Sequence, residues 1–216
     1  MTDVTRDLVS EAVEDIERPS RIFDEHAIQR VVVILGSGRD TPLTLRYRND
    51  AFEIASRVTA WSRNQSPGDR LWVCSGGKSG VMTAVSEGVV SEGGLPLGFG
   101  FDLEDRTTNR FQSPGTTHLF WFPGLRNHWL FQKMVALIAF PGGIGTLTEV
   151  YDALLHSQLS LSSRVPIFLY GRDFWSRHVR LDELVTSGLA SASDIGTIDY
   201  VDTPDPILHH LFNAAP

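Results

Sequence analysis

Apolar runs alternate along the chain with longer segments in which apolar residues recur at helical spacing. The run RVVVIL at residues 30–35 ends at a Gly-Ser-Gly turn, a pattern typical of a strand buried on both faces of a sheet. Further strands are predicted at residues 71–74, 96–101, 117–122, 136–140, 165–170 and 197–201. Helices are predicted between them at residues 47–63, 80–91, 127–135 and 174–187, and another runs through Glu149. This alternation predicts an α/β fold with a Rossmann-like, doubly wound parallel sheet and helices on both faces.

The size of the chain is compatible with a single domain. Its 216 residues are 42% hydrophobic, which is enough to build one sizeable core. No internal repeat is evident. We expect residues 1–25 to form an N-terminal helical arm and residues 26–216 to form a single α/β domain.

The charge balance and the cysteine content argue against several classes of function. A formal net charge of −7 argues against broad binding to nucleic acid polymers or to anionic membranes. No apolar run approaches the length of a membrane span, and residues 1–17 lack the basic and apolar regions of a signal peptide. Cys74, the single cysteine, excludes an internal disulfide and is expected to be buried in a strand. We therefore expect a cytoplasmic protein.

A glycine-rich turn follows the predicted strand at residues 136–140. The sequence PGGIGTLTE at residues 141–149 indicates the end of this strand, a turn and then a helix. Glycines let the backbone approach a ligand, and the helix N-terminus offers unpaired N–H groups and the positive end of the helix dipole. Such a site suits a phosphate group. The residues expected to bind it are Gly142, Gly143, Ile144, Gly145 and Thr146.

Glu149 adds a carboxylate beside this predicted anion site and has two interpretations. Thr146 and Glu149 have the spacing of a capping box, in which two side chains satisfy unpaired backbone N–H groups at a helix start. The other interpretation is that Glu149 acts on the ligand. The spacing of the two residues leaves both interpretations open.

The full pattern PGGxGTxxE resembles the signature of the LONELY GUY family, phosphoribohydrolases that activate cytokinins and were formerly misnamed lysine decarboxylases. A second element, SGGKSGVM at residues 75–82, is similar to the family's GGGxxG(L/I)M element, with Ser in place of the first glycine. Arg126 lies fifteen positions before Pro141, as does the Arg of the family's Arg-Lys pair, but Asn127 replaces the Lys. The resemblance covers residues 30 to 160 of the chain.

The resemblance implies an activity, a site and an assembly. Family members hydrolyse the N-glycosidic bond of a nucleoside 5′-monophosphate to the free base and ribose 5-phosphate. The implied substrate is an N6-modified AMP such as a cytokinin nucleotide, or AMP, bound by a nucleotide-binding domain at residues 26–216 in which Arg126 and Glu149 are catalytic. No cofactor or metal is implied, and a homodimer or a larger homo-oligomer is expected. Further substrate contacts are expected from neighbouring turns and from the residue after the Arg, which are Ser37, Gly76, Gly77 and Asn127.

Elementary chemistry gives the Arg and the Glu compatible roles. Cleavage of a ribose–base bond builds positive charge on the sugar, as in glycoside hydrolysis. The Glu149 carboxylate can stabilise that charge and activate a water molecule. The departing base gains negative charge. Arg126 can stabilise it electrostatically, because an Arg side chain does not readily release a proton.

Other motif interpretations fit the sequence less well. GKS at residues 77–79 is similar to part of a P-loop, but that motif requires a glycine at position 72, which is Trp. Gly36 and Gly38 match only the first part of a dinucleotide-binding fingerprint. The two histidines at residues 209–210 point in different directions on a helix and have no evident third metal ligand.

Departures from the family pattern keep a non-catalytic alternative open. Asn127 removes a positive charge, Thr148 replaces an acidic residue that is common there, and Ser75 narrows the backbone freedom of its turn. A nucleotide-binding or sensing protein on the same fold is therefore the second hypothesis. A pyridoxal-dependent decarboxylase is not favoured, because neither Lys78 nor Lys133 lies in the setting expected of a cofactor-binding lysine.

Overall fold

The computed structural model describes residues 7–102, 107–159, 161 and 164–213. Seven strands within these residues form one sheet, and every neighbouring pair of strands is parallel. The strands are β1 (Arg30–Leu35), β2 (Leu71–Ser75), β3 (Leu97–Phe101), β4 (Thr117–Phe120), β5 (Met134–Ala139), β6 (Ile167–Tyr170) and β7 (Ile198–Val201). Their order across the sheet is β4-β3-β2-β1-β5-β6-β7. The predicted fold class, a Rossmann-like doubly wound sheet, is therefore confirmed.

Helices pack on both faces of this sheet. The helices are α1 (Leu8–Glu25), α2 (Pro42–Leu45), α3 (Arg48–Ser62), α4 (Val81–Ser91), α5 (Pro123–Phe131), α6 (Ile144–Gln158), α7 (Arg172–His178), α8 (Leu181–Thr186), α9 (Ala192–Ile195) and α10 (Asp205–Asn213). Val31 and Val33 of β1 belong to a core shared with α1, α5 and α6, whereas Val32 and Ile34 belong to a second core shared with α3, α4 and α10. Successive residues of a strand face opposite sides, so β1 must be apolar throughout.

The predicted strands are all confirmed, with ends that differ by two residues at most. Two predicted helices need correction. The segment at residues 174–187 forms two helices, α7 and α8, because the backbone is extended at Val179, whose side chain is buried. The helix predicted at residues 127–135 lies further back, since α5 begins at Pro123, and a proline at the first helical position loses no hydrogen bond. Met134 already belongs to β5, where it pairs with β1.

The predicted N-terminal arm is largely the helix α1, and residues 1–6 of that segment lie outside the described residues. Ile22 and Phe23, near the end of α1, are buried in the core beneath the sheet. The Phe23 ring contacts Phe99 of β3 at a centroid distance of 5.9 Å. Asp15, in the middle of the helix, is also buried. The second half of α1 is therefore part of the packed structure.

The sheet order creates a topological switch beside β1. The chain runs outward from β1 to β4 and then returns to form β5 on the other side of β1. The connections that leave the carboxyl ends of β1 and β5 therefore diverge and open a crevice between them. The two turns meet at its base, where the backbone N–H of Ser37 donates to the carbonyl of Pro141 at 3.3 Å. Both turns contain the glycines from which the sequence analysis predicts them.

Candidate active site

A cavity of about 790 Å³ opens at the switch between β1 and β5. Its walls are the turns after β1 and β2, the end of β3, part of α5 and the first two turns of α6. A crevice at the carboxyl ends of the strands is the usual ligand site of open α/β sheets. The lining residues are Leu35, Gly36, Ser37, Gly38, Arg39, Gly76, Lys78, Ser79, Met82, Gly100, Phe101, Arg126, Gly143, Ile144, Gly145, Thr146 and Glu149.

Most of the predicted site residues share this cavity. Those that line it are Ser37, Gly76, Arg126, Gly143, Ile144, Gly145, Thr146 and Glu149. Gly77, Gly142 and Asn127 do not line it, although each is next in the chain to a residue that does. The fold therefore brings four separate parts of the chain together at one site.

Arg126 is held rigidly in the wall of the cavity. The side chain is 3% exposed, and its Nε donates to the carbonyl of Phe99 at 2.8 Å. Its Nη1 donates to Asn127 Oδ1 at 3.1 Å and forms an ion pair with Glu149 Oε1. The guanidinium also lies 4.5 Å from the centre of the Phe101 ring. These contacts fix the plane of the guanidinium, which is the feature that distinguishes Arg from Lys.

One edge of the guanidinium is left for a ligand. Arg126 Nη2 makes no hydrogen bond within the part of the chain that the structure describes. It borders Gly76, where an added Cβ would lie 3.3 Å from Nη2. Because both Gly76 and Arg126 line the cavity, a donor of fixed orientation is available at its wall.

Glu149 is the acidic partner of this pair and does not cap its helix. The N-cap of α6 is Gly143, which makes no side-chain capping bond, and Thr146 lies inside the first turn. The capping-box interpretation is therefore wrong, because α6 begins at Ile144, before the threonine. Glu149 is buried, and its carboxylate forms the ion pair with Arg126. A buried ion pair is costly to assemble, so one on a cavity wall points to a functional role.

The start of α6 has the open backbone that an anion requires. An added Cβ would meet nothing within 4 Å at Gly143 or at Gly145, and Ile144 between them is 80% exposed. The first N–H groups of a helix have no partner within it, and they lie at the positive end of the helix dipole. This wall of the cavity has the open helix start that a phosphate site requires, and phosphate binding there stays a prediction.

Gly77 and Gly142 are required by the packing of their own turns. A Cβ on Gly142 would lie only 2.5 Å from the Thr146 Cβ. Gly77 has φ of +65°, a conformation that favours glycine. Asn109 holds the same turn from the far side, since its backbone N–H donates to the Gly77 carbonyl at 2.8 Å. Its Nδ2 donates to the Lys78 carbonyl at 3.0 Å.

Asn127 lies behind Arg126 and connects two helices. Its Nδ2 donates to Asp152 Oδ2 of α6 at 2.7 Å, while its Oδ1 accepts from Arg126. The amide that replaces the family's Lys therefore orients Arg126 in this structure, and the predicted substrate contact has no counterpart on the cavity wall.

Several lining residues were missed by the sequence analysis. Arg39 and Ser79 occupy the same turns as the predicted residues, so proximity to the glycine turns was an available signal. Ser79 Oγ donates to the Gly38 carbonyl at 2.6 Å and joins the two turns. Phe101 lies at the end of β3, where only the sheet order reveals that it reaches the cavity.

Metal binding, thiol chemistry and a membrane-spanning helix find no support among the described residues. They contain no group of three or more His, Cys, Asp or Glu side chains that could hold a metal ion. Cys74 is fully buried, and burial raises the pKa of its thiol to about 12, so it is protonated near neutral pH. Within residues 7–102, 107–159, 161 and 164–213, no helix combines the length and the apolar character needed to span a membrane.

The fold and the cavity define a Rossmann-like α/β protein with a glycine-lined cavity beside a buried Arg–Glu pair. The chain belongs to the family described as possible lysine decarboxylase, whose model matches residues 82–211. The chain is 26% identical over 178 residues to a protein of Oryza sativa subsp. japonica named probable cytokinin riboside 5′-monophosphate phosphoribohydrolase LOGL9. That match covers 77% of this chain and 71% of the rice protein.

Solved structures show the same fold at lower sequence identity. The molybdenum cofactor binding protein of Rippkaea orientalis has a TM-score of 0.59 and 18% identity, with 84% of this chain and 94% of that chain covered. The Moco carrier protein of Chlamydomonas reinhardtii has a TM-score of 0.58 and 17% identity, with 87% of this chain and all (100%) of that chain covered. At this level of identity the likeness concerns the fold.

Proposed function

We propose that the chain hydrolyses the N-glycosidic bond of a nucleoside 5′-monophosphate, either AMP or an N6-modified AMP, to the free base and ribose 5-phosphate. The observation that carries this proposal is the buried Arg126–Glu149 pair on the wall of a cavity that the open start of α6 also lines. The name of the rice relative supports the same reaction.

The start of α6 and the Arg126–Glu149 pair suit the two ends of such a nucleotide. The first-turn N–H groups around Gly143 and Gly145 would bind the 5′-phosphate and so fix the position of the ribose. Glu149 would then stabilise the positive charge on the sugar and activate the attacking water. The guanidinium of Arg126 would stabilise the negative charge on the departing base, with its open Nη2 edge available for that contact. No step in this scheme needs a cofactor.

A panel of nucleotides tests the proposal directly. The purified chain is incubated with AMP, N6-isopentenyl-AMP, GMP and CMP, and free base and ribose 5-phosphate are measured by chromatography. Release of base from an adenine nucleotide is the expected result. Absence of release from every nucleotide would overturn the proposed hydrolysis, and calorimetry on the same samples would then show whether nucleotides bind.

Arg126→Lys is expected to lower kcat about a hundredfold while KM changes little. Lys keeps the positive charge but cannot donate to Phe99, Asn127 and Glu149 from one rigid plane. Steady-state kinetics on the best nucleotide of the panel measures the effect. Arg57→Lys, on an exposed ion pair of α3, is the matched control and should match the wild-type rate. A variant with wild-type kcat would show that charge alone suffices at position 126.

A non-catalytic nucleotide-binding protein is the second candidate. One observation favours it: the residue after Arg126 is a neutral Asn whose amide is already engaged by Asp152 and Arg126. The same fold also serves proteins described as binding or carrying the molybdenum cofactor. Nucleotide binding without release of base in the panel would favour this candidate.

We also propose that two copies of the chain associate through α6. Apolar side chains between 43% and 80% exposed follow one face of this helix, namely Ile144, Tyr151, Leu155 and Leu159. The face adjoins the cavity, because Ile144 lines it as well. An exposed apolar stripe of this kind is typical of an interface. The absence of nucleic acid and membrane partners, and the cytoplasmic location, stay predictions from the sequence.

Leu155→Glu is expected to convert the wild-type dimer to a monomer, because the new charge would be buried at the interface without a partner. Light scattering after size exclusion measures the mass. Val90→Glu adds the same charge to an exposed position of α4, a helix on the opposite face of the sheet, and should leave the dimer intact. A wild-type chain that elutes as a monomer at all concentrations would contradict the proposed association.

A further inference from the structure

Asp15 of α1 is a buried carboxylate that the proposed reaction does not use. It is 2% exposed and lies in the helix of the predicted N-terminal arm. Its Oδ2 accepts from the backbone N–H groups of Phe122 at 2.9 Å and Trp121 at 3.0 Å. Its Oδ1 lies 2.9 Å from His118 Nε2. All of these partners are more than a hundred residues away in the chain, as the separation of 103 residues from His118 shows.

The carboxylate binds the backbone at the start of α5, where the N-cap residue offers no side-chain acceptor. Phe122 is the N-cap of α5 and has no side-chain acceptor for the first N–H groups. Helix starts are normally stabilised by a nearby side-chain oxygen, and a negative charge there also interacts favourably with the helix dipole. Asp15 supplies the negative charge from another helix and accepts from the N–H of the N-cap residue Phe122, as the third helical residue does in a capping box.

A short path connects this cap to the active site. The backbone N–H of Phe122 donates to Asp15, and the Phe122 carbonyl, which belongs to the next peptide unit, accepts from the backbone N–H of Arg126 at 3.0 Å. Asp15 therefore holds the amide side of the residue whose carbonyl accepts the first helical hydrogen bond of α5. The Arg126 side chain extends from that turn to Glu149.

We propose that Asp15 is a positioning residue that sets the orientation of Arg126 through the start of α5. This inference rests on the proposed function of Arg126 in hydrolysis. It assigns the N-terminal helix a part in catalysis although none of its residues lines the cavity. His118 supports Asp15 by occupying its second oxygen.

The kinetic test uses Asp15→Asn, which keeps the size of the side chain and removes the charge. We expect kcat to fall at least about tenfold while KM stays within about twofold, because the phosphate site on α6 is untouched. The loss should vanish in an Arg126→Ala background, where Asp15→Asn should cost less than about twofold, since both changes act through one residue. Glu17→Gln, an exposed carboxylate of the same helix, is the control and should have no effect. Full additivity of the two losses would overturn the proposal.

A second measurement does not depend on activity. Backbone hydrogen exchange of residues 124–131 should be faster in Asp15→Asn than in wild type and Glu17→Gln, with α6 unchanged. Unchanged exchange in α5 would overturn the proposal even if the chain hydrolyses nucleotides. Faster exchange in a chain that hydrolyses no nucleotide would support the role of Asp15 at the start of α5. It would reject the proposed reaction instead. If Asp15→Asn does not fold, His118→Gln keeps the carboxylate and should show the same changes at smaller size.

Discussion

Replacement of Glu149 by Gln is expected to lower kcat for base release by about a thousandfold or more. The amide keeps the shape of the side chain and an oxygen that can accept from Arg126. It carries no negative charge to stabilise an oxocarbenium-like sugar and cannot accept a proton from water. Because the loss occurs in the transition state, kcat and kcat/KM should fall by similar factors.

Binding and folding measurements separate this chemical loss from damage to the site. Calorimetry should give a nucleotide affinity within about threefold of wild type, because the helix start that binds the phosphate is unchanged. The melting temperature should fall, since the buried guanidinium of Arg126 loses its charged partner. Glu53→Gln, an exposed carboxylate of α3, should leave activity and melting temperature near wild type. A Glu149→Gln variant within tenfold of the wild-type rate would exclude the carboxylate as the catalytic group.

The fold could be predicted because the information lies in local patterns. A strand such as β1, apolar at every position, has to be covered on both sides, and this requires helices on two faces. Glycine turns after such strands mark where a ligand can approach. The two turns that meet between β1 and β5 can be identified in the sequence. That they meet there follows only from the sheet order, which the sequence does not reveal.

The contacts that orient the site could not be predicted, because they join residues that are distant in the chain. Thr146 and Glu149 fit a capping box by spacing, and only the position of the helix start decides against it. Asn127 resembles a substrate ligand by position, but the approach of α6 brings Asp152 within 2.7 Å of its amide. Asp15 gave no signal in its own segment, since an acidic residue in a helix is ordinarily exposed.

Asn127 and Asp15 share one feature, namely that each polar side chain bonds to more than one distant part of the structure. Asn127 links α5 to α6, and Asp15 links α1 to the N-cap of α5, so the helix that carries Arg126 is held at both its start and its second turn. Both polar groups are buried and bonded, as the cost of an unpaired buried group requires. The orientation of Arg126 therefore depends on parts of the chain that no local motif records.

Gly80→Ala is expected to lower the free energy of unfolding by about 3 kcal/mol or more. Gly80 is the N-cap of α4 and has φ of +68° and ψ of −135°, a conformation that disfavours any side chain. A Cβ there would overlap the carbonyl oxygen of Ser37 and would lie 2.8 Å from the carbonyl carbon of Gly38. These are backbone atoms of the turn after β1, so the clash cannot be relieved by a side-chain rotation.

The same substitution should also weaken nucleotide binding, because Gly80 joins the two turns that line the cavity. The next residue, Val81, donates its backbone N–H to the Ser37 carbonyl at 3.1 Å, and pushing this contact apart would widen the site. Urea unfolding measures the stability, and calorimetry with AMP measures the binding. Gly68→Ala is the matched control, since a Cβ at Gly68 meets nothing within 4 Å. Equal stability of the two variants would mean that the turns are free to separate. The shape of the cavity would then be set by the bound ligand and not by the fold.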